Sequence, residues 1–174
     1  MNKLTLTPLS QTDLDEIVLA FKQIGWHKPK GIYESYLEEQ ALGLRSVLIA
    51  RETGKFCGYI TVKWKSDYPS FAEKNIPEII DLNVLPQYQK KGIGTKLIRT
   101  CEDLAKYQER ALIGLGVGLT ADYGNAQRLY IQLGYVPDGH GLHSKNMPAK
   151  YGEKVIVDDD LVIYLTKILK KGSV

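Results

Sequence analysis

The sequence predicts an α/β fold (α+β, mixed sheet), with a central mixed β-sheet of about 6–7 strands flanked by about four helices. Short β-branched runs such as Ser46–Arg51 and Leu161–Ile168 are typical of strands. Segments with apolar residues three and four apart, such as the one that starts near Leu14, are typical of amphipathic helices. The early strands adjoin one another and the later ones alternate with helices, which favours antiparallel hairpins first and parallel βαβ units afterwards.

The first half of the chain supplies three strands and two helices. Apolar alternation in Lys3–Thr7 predicts a first strand that ends at Pro8, and Glu52–Lys55 is a hairpin turn between two longer strands. The apolar stripe of the first helix consists of Leu14, Ile17, Val18, Phe21 and Ile24. The remaining elements here are a break at 25–29, a helix over Ile32–Leu42 stopped by Gly43, and strands over Ser46–Arg51 and Phe56–Lys65.

The second half alternates strands with helices. The polar, proline-punctuated stretch Ser66–Pro77 is expected to be a loop. After it we expect a strand over Ile79–Val84, a helix to about Arg110, a strand over Ala111–Val117, a helix over Asn125–Leu133, a strand opening at Tyr135–Val136 and a closing strand over Leu161–Ile168. The order is therefore β-α-α-β-β-β-α-β-α-β-β.

Composition sets limits on the class of protein. The chain has 174 residues, of which 44% are hydrophobic and 25% charged. Residues 1–174 are therefore expected to form a single globular domain that needs no disulfide or metal to stabilise it. The net charge of +3 is too small to indicate a nucleic-acid partner, and no apolar run reaches the ~18 residues of a membrane span. Cys57 and Cys101 lack metal or CxxC spacing, so we expect core thiols, no metal and a cytoplasmic location.

The stretch Ile79–Ile98 carries the strongest functional signal. A strand stopped by Pro86 is followed by Gln89-Lys90-Lys91-Gly92-Ile93-Gly94, and a helical period then begins. A helix start collects unpaired N–H groups and the positive end of the helix dipole, which together bind phosphate. Glycines let the backbone approach the phosphate, and the two lysines add charge. The alternative is an ordinary strand-to-helix turn.

Spacing decides between the kinds of phosphate loop. Counting from Gly92, Leu97 falls where both a Walker loop and a G-x-G-x-x-G/A dinucleotide loop need another small residue. The pattern Gln-x-x-Gly-x-Gly at Gln89, Gly92 and Gly94 instead resembles the Gcn5-related N-acetyltransferase (GNAT) superfamily. In that family Arg/Gln-x-x-Gly-x-Gly/Ala holds the pyrophosphate of acetyl-CoA between a central strand and a long helix. The predicted order of elements is similar to the family's over nearly the whole chain.

A second stretch, Asn125–Tyr135, resembles the family's helix after the fifth strand, N-x-x-A-x-x-L-Y-x-x-x-G-F/Y, although Ala126 departs from the alanine spacing. The resemblance implies that Asn125 hydrogen-bonds the cofactor arm and that Tyr130 approaches the thioester sulfur. The alternatives are helix capping by Asn125 or Asp122 and a core role for Tyr130. The residues for which the resemblance implies cofactor binding are Leu82, Asn83, Val84, Gln89, Lys90, Lys91, Gly92, Ile93, Gly94, Thr95 and Asn125.

The implied reaction is acetyl transfer to a primary amine by direct attack in a ternary complex. Freeing a lysine-like amine of its proton at pH 7 costs roughly 4–5 kcal/mol, so a carboxylate or a water must accept the proton. Backbone N–H groups at the splayed central strand can polarise the thioester carbonyl, and a hydroxyl such as that of Tyr130 assists the leaving thiolate. Glu78 is the leading base, and Asp81 could bind the substrate amine or relay a proton. Glu78 could instead be a solvated charge, and Asp81 could face solvent at a sheet edge.

Two other functions stay open. Gly116-Val117-Gly118-Leu119-Thr120-Ala121 fits G-x-G-x-x-A after a strand, and Asp138 lies near the distance of a ribose contact, so a dinucleotide-binding protein is one alternative. A catalytically inactive acetyl-CoA sensor is the other. His140 and His143 lie in a glycine-rich, flexible segment and are expected to be exposed.

The acceptor is expected to be a small-molecule or peptide amine, and the chain could form a homodimer. In this fold the acceptor usually lies near the first two helices and the C-terminal strands. The aromatic and acidic residues of these segments would suit a cationic amine: Trp26, Tyr33, Tyr36, Tyr68, Glu34, Asp67, Asp158, Asp159 and Asp160.

Overall fold

The computed structural model describes residues 3–169 and confirms the α/β class with a mixed sheet. It has eight strands, where about 6–7 were predicted, and five α-helices, where about four were predicted. The strands are β1 (Leu4–Pro8), β2 (Arg45–Glu52), β3 (Lys55–Lys63), β4 (Glu78–Val84), β5 (Leu112–Gly118), β6 (Val136–Ser144), β7 (Met147–Pro148) and β8 (Leu161–Ile168). The helices are α1 (Leu14–Gln23), α2 (Lys30–Ala41), α3 (Pro69–Glu73), α4 (Ile93–Tyr107) and α5 (Gly124–Gln132), with short 3₁₀ turns at Gln11–Asp13, Pro86–Tyr88 and Ala121–Tyr123.

The described chain divides into two compact units. The first takes in the described residues up to Trp64 together with Ile80–Cys101, and the second takes in Lys65–Ile79 together with the described residues from Glu102 onward. Strand β4 contributes its first two residues to the second unit and the rest to the first. The expectation of a single domain over residues 1–174 stays a prediction.

The first unit is an antiparallel β1-β2-β3 meander with α1 and α2 packed on it. The turn between β2 and β3 has positive φ at Thr53 (53°) and Gly54 (82°), the conformation that a two-residue hairpin turn requires. The predicted stripe of α1 forms the core, because Leu14, Ile17 and Phe21 are fully buried. Phe21 lies edge-on to Tyr59 of β3, at 5.9 Å between ring centroids.

The second unit is centred on β5, which pairs in parallel with β4 at Glu78↔Gly114 and Ile79↔Leu115 and antiparallel with β8 over seven residue pairs. Strands β6 and β7 follow outside β8. The parallel and antiparallel pairs confirm the mixed sheet.

The prediction of a plain loop over Ser66–Pro77 was wrong. The stretch contains α3, and Tyr68, Phe71 and Ile76 from it are buried against Tyr164 of β8. Gly114 makes room for this packing, since a Cβ there would lie 2.3 Å from the Phe71 ring. Three apolar residues among polar ones show no clear helical period, so the sequence pattern did not predict the short helix.

The prediction of a flexible segment around His140 and His143 was also wrong, because this glycine-rich stretch lies inside β6. Gly139 and Gly141 adopt positive φ (89° and 75°) at a shift in the pairing with β8, and β6 continues beyond them. His140 is exposed as predicted, whereas His143 is only 3% exposed and lies edge-on to Tyr68, at 4.9 Å between ring centroids.

Both cysteines are buried, as predicted. No helix within residues 3–169 is long and apolar enough to span a membrane.

Candidate active site

The turn before α4 is open at a glycine and leads into the start of a long helix. Gly92 adopts φ +79° and a Cβ built on it meets no atom within 4 Å, so the turn is open at this glycine. Helix α4 then starts at Ile93, whose side chain is buried, while Gly94 and Thr95 are half-buried. The first turn carries no acidic side chain, and a helix leaves its first N–H groups without intrahelical partners. These features suit an anion.

The residues before Gly92 hold the turn in place. The Gln89 amide Nε2 donates to the Val84 carbonyl at 3.0 Å, which ties the turn back to the end of β4. Lys90 adopts φ +59°, a left-handed conformation that costs a non-glycine residue about 1–2 kcal/mol. Lys91 Nζ lies 3.4 Å from Glu52 and 5.0 Å from the centre of the Tyr88 ring, so this charge is already partly compensated.

The end of β4, with the half-buried Leu82, Asn83 and Val84, approaches β3 unusually closely at Gly58. A Cβ on Gly58 would lie 2.4 Å from the Asn83 carbonyl oxygen and 3.0 Å from the Val84 Cα. Only glycine allows this approach.

Asp81 lies in β4 with φ +60°, which is strained for a residue other than glycine. Its carboxylate accepts hydrogen bonds from Tyr36 (3.0 Å), Tyr59 (2.5 Å) and Asn83 Nδ2 (2.6 Å), and Lys28 Nζ lies 3.2 Å away. Burial acts to raise the pKa of Asp81, but the Lys28 charge and the three hydrogen bonds outweigh burial and lower the pKa below its ordinary value. The alternative of a carboxylate facing solvent at a sheet edge was therefore wrong.

Glu78, at the start of β4, is 8% exposed, so the alternative of a solvated charge was also wrong. Its carboxylate accepts a hydrogen bond from the Ser66 hydroxyl at 2.5 Å. Burial first, and then the nearby Glu78 charge, raise the pKa of the Tyr164 hydroxyl. The Tyr164 ring in turn stacks on Tyr68 at 3.6 Å between centroids. Glu78 thus lies close to the buried rings of Tyr68 and Tyr164 in the second unit.

Tyr130 is 7% exposed and lies in α5 with its ring 6.0 Å from that of Tyr135. Burial, with a smaller effect of Tyr123, raises the pKa of its hydroxyl to about 12, so the group keeps its proton at neutral pH. Asn125 is the second residue of α5 and is exposed. The N-cap is Tyr123, whose side chain makes no capping hydrogen bond, which contradicts the capping alternative.

The Gly116 pattern does not form a dinucleotide loop. Gly116 lies inside β5, where a Cβ would be 3.2 Å from the Tyr164 ring, and a Cβ on Gly118 would be 2.5 Å from the Tyr123 ring. These glycines make room for tyrosines of this chain. Asp138 accepts a hydrogen bond from the Tyr68 hydroxyl at 2.8 Å and pairs with His140, so it has protein partners of its own. The dinucleotide alternative therefore loses the pattern on which it rested.

The predicted residues are divided between the two units. Asp81, Leu82, Asn83, Val84 and the Gln89–Thr95 turn belong to the first unit, and Glu78, Asn125 and Tyr130 belong to the second. Within residues 3–169, no set of three or more His, Cys, Asp or Glu side chains is arranged to hold a metal ion.

Sequence reasoning missed the partners of the two acids. Lys28 and Tyr59 reach Asp81 from positions 53 and 22 residues away in sequence, and Ser66 reaches Glu78 from 12 residues away. No short motif carries such contacts. The burial of Ser66 is known only from the structure, so no sequence signal pointed to it.

Comparison with known proteins identifies the family. The model of the Acetyltransferase (GNAT) family matches residues 12–135. The chain is 32% identical over 124 residues to the uncharacterized N-acetyltransferase YhfO of Bacillus subtilis (strain 168), covering 67% of this chain and 77% of that protein. The fold is similar to that of an N-acetyltransferase from Staphylococcus aureus Mu50, with a TM-score of 0.71, 15% identity and coverage of 97% and 99%. It is also similar to YncA from Salmonella typhimurium, determined with its cofactor acetyl-CoA, with a TM-score of 0.67, 20% identity and coverage of 99% and 98%.

The relation extends beyond the glycine turn, because the family match begins before α1 and runs to the end of the Asn125–Tyr135 stretch. The chain therefore belongs to the GNAT acetyltransferase family and is an acyltransferase enzyme.

Proposed function

We propose that this protein transfers an acetyl group from acetyl-CoA to a primary amine by direct attack in a ternary complex. The observation that carries the proposal is the open turn at Gly92, which leads into a helix start free of acidic side chains. A phosphate needs such a combination of converging N–H groups and unobstructed backbone. Membership of the family and the acetyl-CoA in the YncA structure support the choice of cofactor.

The cofactor role falls on the β4 end and the α4 start. The N–H groups of Gly92, Ile93, Gly94 and Thr95 would hold the pyrophosphate, with Lys90 and Lys91 adding positive charge. Acetyl-CoA supplies an acyl carbon already activated as a thioester. Backbone N–H groups of Leu82, Asn83 and Val84 would bind the arm of the cofactor and polarise that carbonyl. Asn125 would add a side-chain contact.

The two carboxylates are suited to different tasks. Asp81 has a lowered pKa and four donors around it, so it is a weak base but a good anchor for a positive charge. Glu78 is buried at the start of β4, and its carboxylate accepts a hydrogen bond from the neutral hydroxyl of Ser66. We therefore assign proton acceptance, directly or through water, to Glu78 and charge recognition to Asp81.

Tyr130 is assigned the acid. Its hydroxyl is protonated at working pH, as a tyrosine ordinarily is and as the rise of its pKa to about 12 maintains, so it can donate to the departing thiolate. No covalent enzyme intermediate is needed, which agrees with the burial of Cys57 and Cys101.

The test is a thermal-shift comparison of acetyl-CoA with NADH and ATP, followed by an assay of thiol release with a panel of primary amines. A ligand at 100 times its dissociation constant adds about 2.7 kcal/mol, or about 5–11 °C for a chain of this size. Stabilisation by acetyl-CoA and amine-dependent thiol release are expected. Binding without thiol release for any amine would favour the sensor, and stabilisation by NADH alone would refute the proposal.

A further inference from the structure

One lysine occupies a position that the proposed reaction does not use. Lys28, between α1 and α2, places Nζ 3.2 Å from Asp81 Oδ1 and 3.2 Å from the Tyr59 hydroxyl. Its side chain and that of Asp81 are each only 22% exposed. Lysine is rarely withdrawn from water to this extent unless its charge is paired.

Aromatic rings complete the surroundings of this ammonium group. Lys28 Nζ lies 5.4 Å from the centre of the Phe21 ring and 5.7 Å from that of Tyr59, within the range of cation–π attraction. A carboxylate flanked by ring faces is the chemistry that recognises an alkylammonium ion.

The Asp81 carboxylate has three hydrogen-bond donors besides Lys28. Tyr36, Tyr59 and Asn83 each donate a hydrogen bond to it, and these donors are neutral. They hold Asp81 at a strained backbone position, and such strain is concentrated at functional sites. The three hydrogen bonds also act to lower the pKa of Asp81 and so favour its anionic form.

Lys28, in contrast, is attached to an irregular part of the chain. Residues 26–29 have no regular secondary structure, and Gly25 before them adopts φ +77°. The flexible four-carbon stem of lysine allows Nζ to leave while α1 and α2 stay packed.

We propose that Asp81, Phe21, Tyr36 and Tyr59 form the subsite that binds the acceptor as an unbranched alkylammonium ion, and that Lys28 is an internal occupant which the acceptor displaces. This inference rests on the proposed function for the transfer itself. It names the class of acceptor: a cationic n-alkylamine, chemically like the lysine side chain that fills the subsite. An anionic or neutral acceptor has no counterpart for the Asp81 charge.

The experiment is calorimetric titration of the full chain with n-pentylammonium chloride in the absence of acetyl-CoA. Lys28→Met removes the competing charge and keeps the apolar stem. Since an internal occupant reduces apparent affinity by the fraction of open sites, we expect the variant to bind the probe about tenfold more tightly than wild type, or more. Asp81→Asn should abolish binding, and 1-pentanol should not bind.

The matched control is Lys30→Met. Lys30 is two residues away, exposed, and paired with Asp15 at 2.7 Å, so its loss should leave probe affinity at the wild-type value. The proposal is overturned if Lys28→Met binds no tighter than wild type, or if Asp81→Asn binds equally well.

Folding is checked by circular dichroism, and Lys28→Gln, which retains a donor for Asp81, replaces Lys28→Met if the latter does not fold. Failure of both variants to fold also overturns the proposal, because a displaceable occupant cannot be required for the fold. Stabilisation by acetyl-CoA, measured separately, tells the two hypotheses apart. If it persists while the probe results fail, only the subsite is refuted, and if it is absent, the proposed function fails.

Discussion

Replacing Gly92 by alanine tests whether this turn binds acetyl-CoA, because the effect on affinity can be measured separately from the effect on stability. The left-handed backbone at φ +79° costs alanine about 1–2 kcal/mol, although its Cβ has free space around it. At about 2–4 °C per kcal/mol, the melting temperature should fall by about 2–8 °C if the turn stays as it is. The turn is exposed, so we expect it to relax and to lose at least one charge-assisted hydrogen bond to the phosphate.

Such a hydrogen bond contributes about 1.5–3 kcal/mol, equivalent to a loss of about 10–150-fold in affinity for acetyl-CoA. At a concentration 100 times the wild-type dissociation constant, a 100-fold loss reduces the added stability from about 2.7 to about 0.4 kcal/mol. The thermal shift caused by acetyl-CoA should therefore shrink to about 1–2 °C in Gly92→Ala.

Gly43→Ala is the matched control. Gly43 follows α2 with φ +70° and likewise has no atom within 4 Å of a built Cβ. It should cost a similar amount of stability and leave the acetyl-CoA shift at its wild-type size. Equal shifts in Gly92→Ala and Gly43→Ala would refute a phosphate site at this turn.

Three further predictions concern the acid, the base and the pH dependence of stability. Tyr130→Phe should lower kcat about 10²–10⁴-fold. Tyr135→Phe is the control: it removes a hydroxyl that donates to Glu102, so it should lower stability and leave kcat unchanged. An unchanged kcat in Tyr130→Phe would exclude Tyr130 as the acid. Glu78→Gln should reduce kcat by a similar factor. Glu102→Gln, at a similarly buried glutamate, should reduce only the melting temperature. An equal loss of kcat in the two variants would show that Glu78 has a structural role. Because the folded-state pKa of Asp81 is lowered, its contribution to stability is full above its unfolded pKa of about 3.9 and is lost as pH falls through the folded value. Urea titrations of Asp81→Asn should therefore show a weaker pH dependence below about pH 4 than wild type, and an unchanged slope contradicts the lowered pKa.

The elements with a long, regular period could be predicted from the sequence. The closing strand Leu161–Ile168 is found at the predicted residues, and α1 buries the predicted stripe. Helix α3, with five residues, is shorter than two turns and gives no period to detect. Strand β6 is interrupted by two glycines with positive φ, which resemble a loop until the partner strand is known.

The site could be predicted only where its residues are adjacent in sequence. The Gln89–Gly94 turn is one continuous segment, so the order of its residues determines its geometry. The environments of Glu78 and Asp81 are set by side chains from other elements, including Ser66 and Lys28. A sequence shows that a carboxylate lies in a strand, but the cation or hydroxyl that fixes its pKa becomes known only from the fold.

The two glycine patterns of this chain illustrate the same limit. Both place glycines two residues apart, and the sequence predicted both to follow a strand, but the space that the missing side chain leaves is used differently. At Gly116 and Gly118 it is filled by the rings of Tyr164 and Tyr123, whereas at Gly92 no atom lies within 4 Å of a built Cβ. Glycine adjacent to a packed ring is explained by the packing. The positive φ of Gly92 explains why a glycine is favoured at this position, and the open space beside it at the helix start is what leaves room for a ligand to approach the backbone.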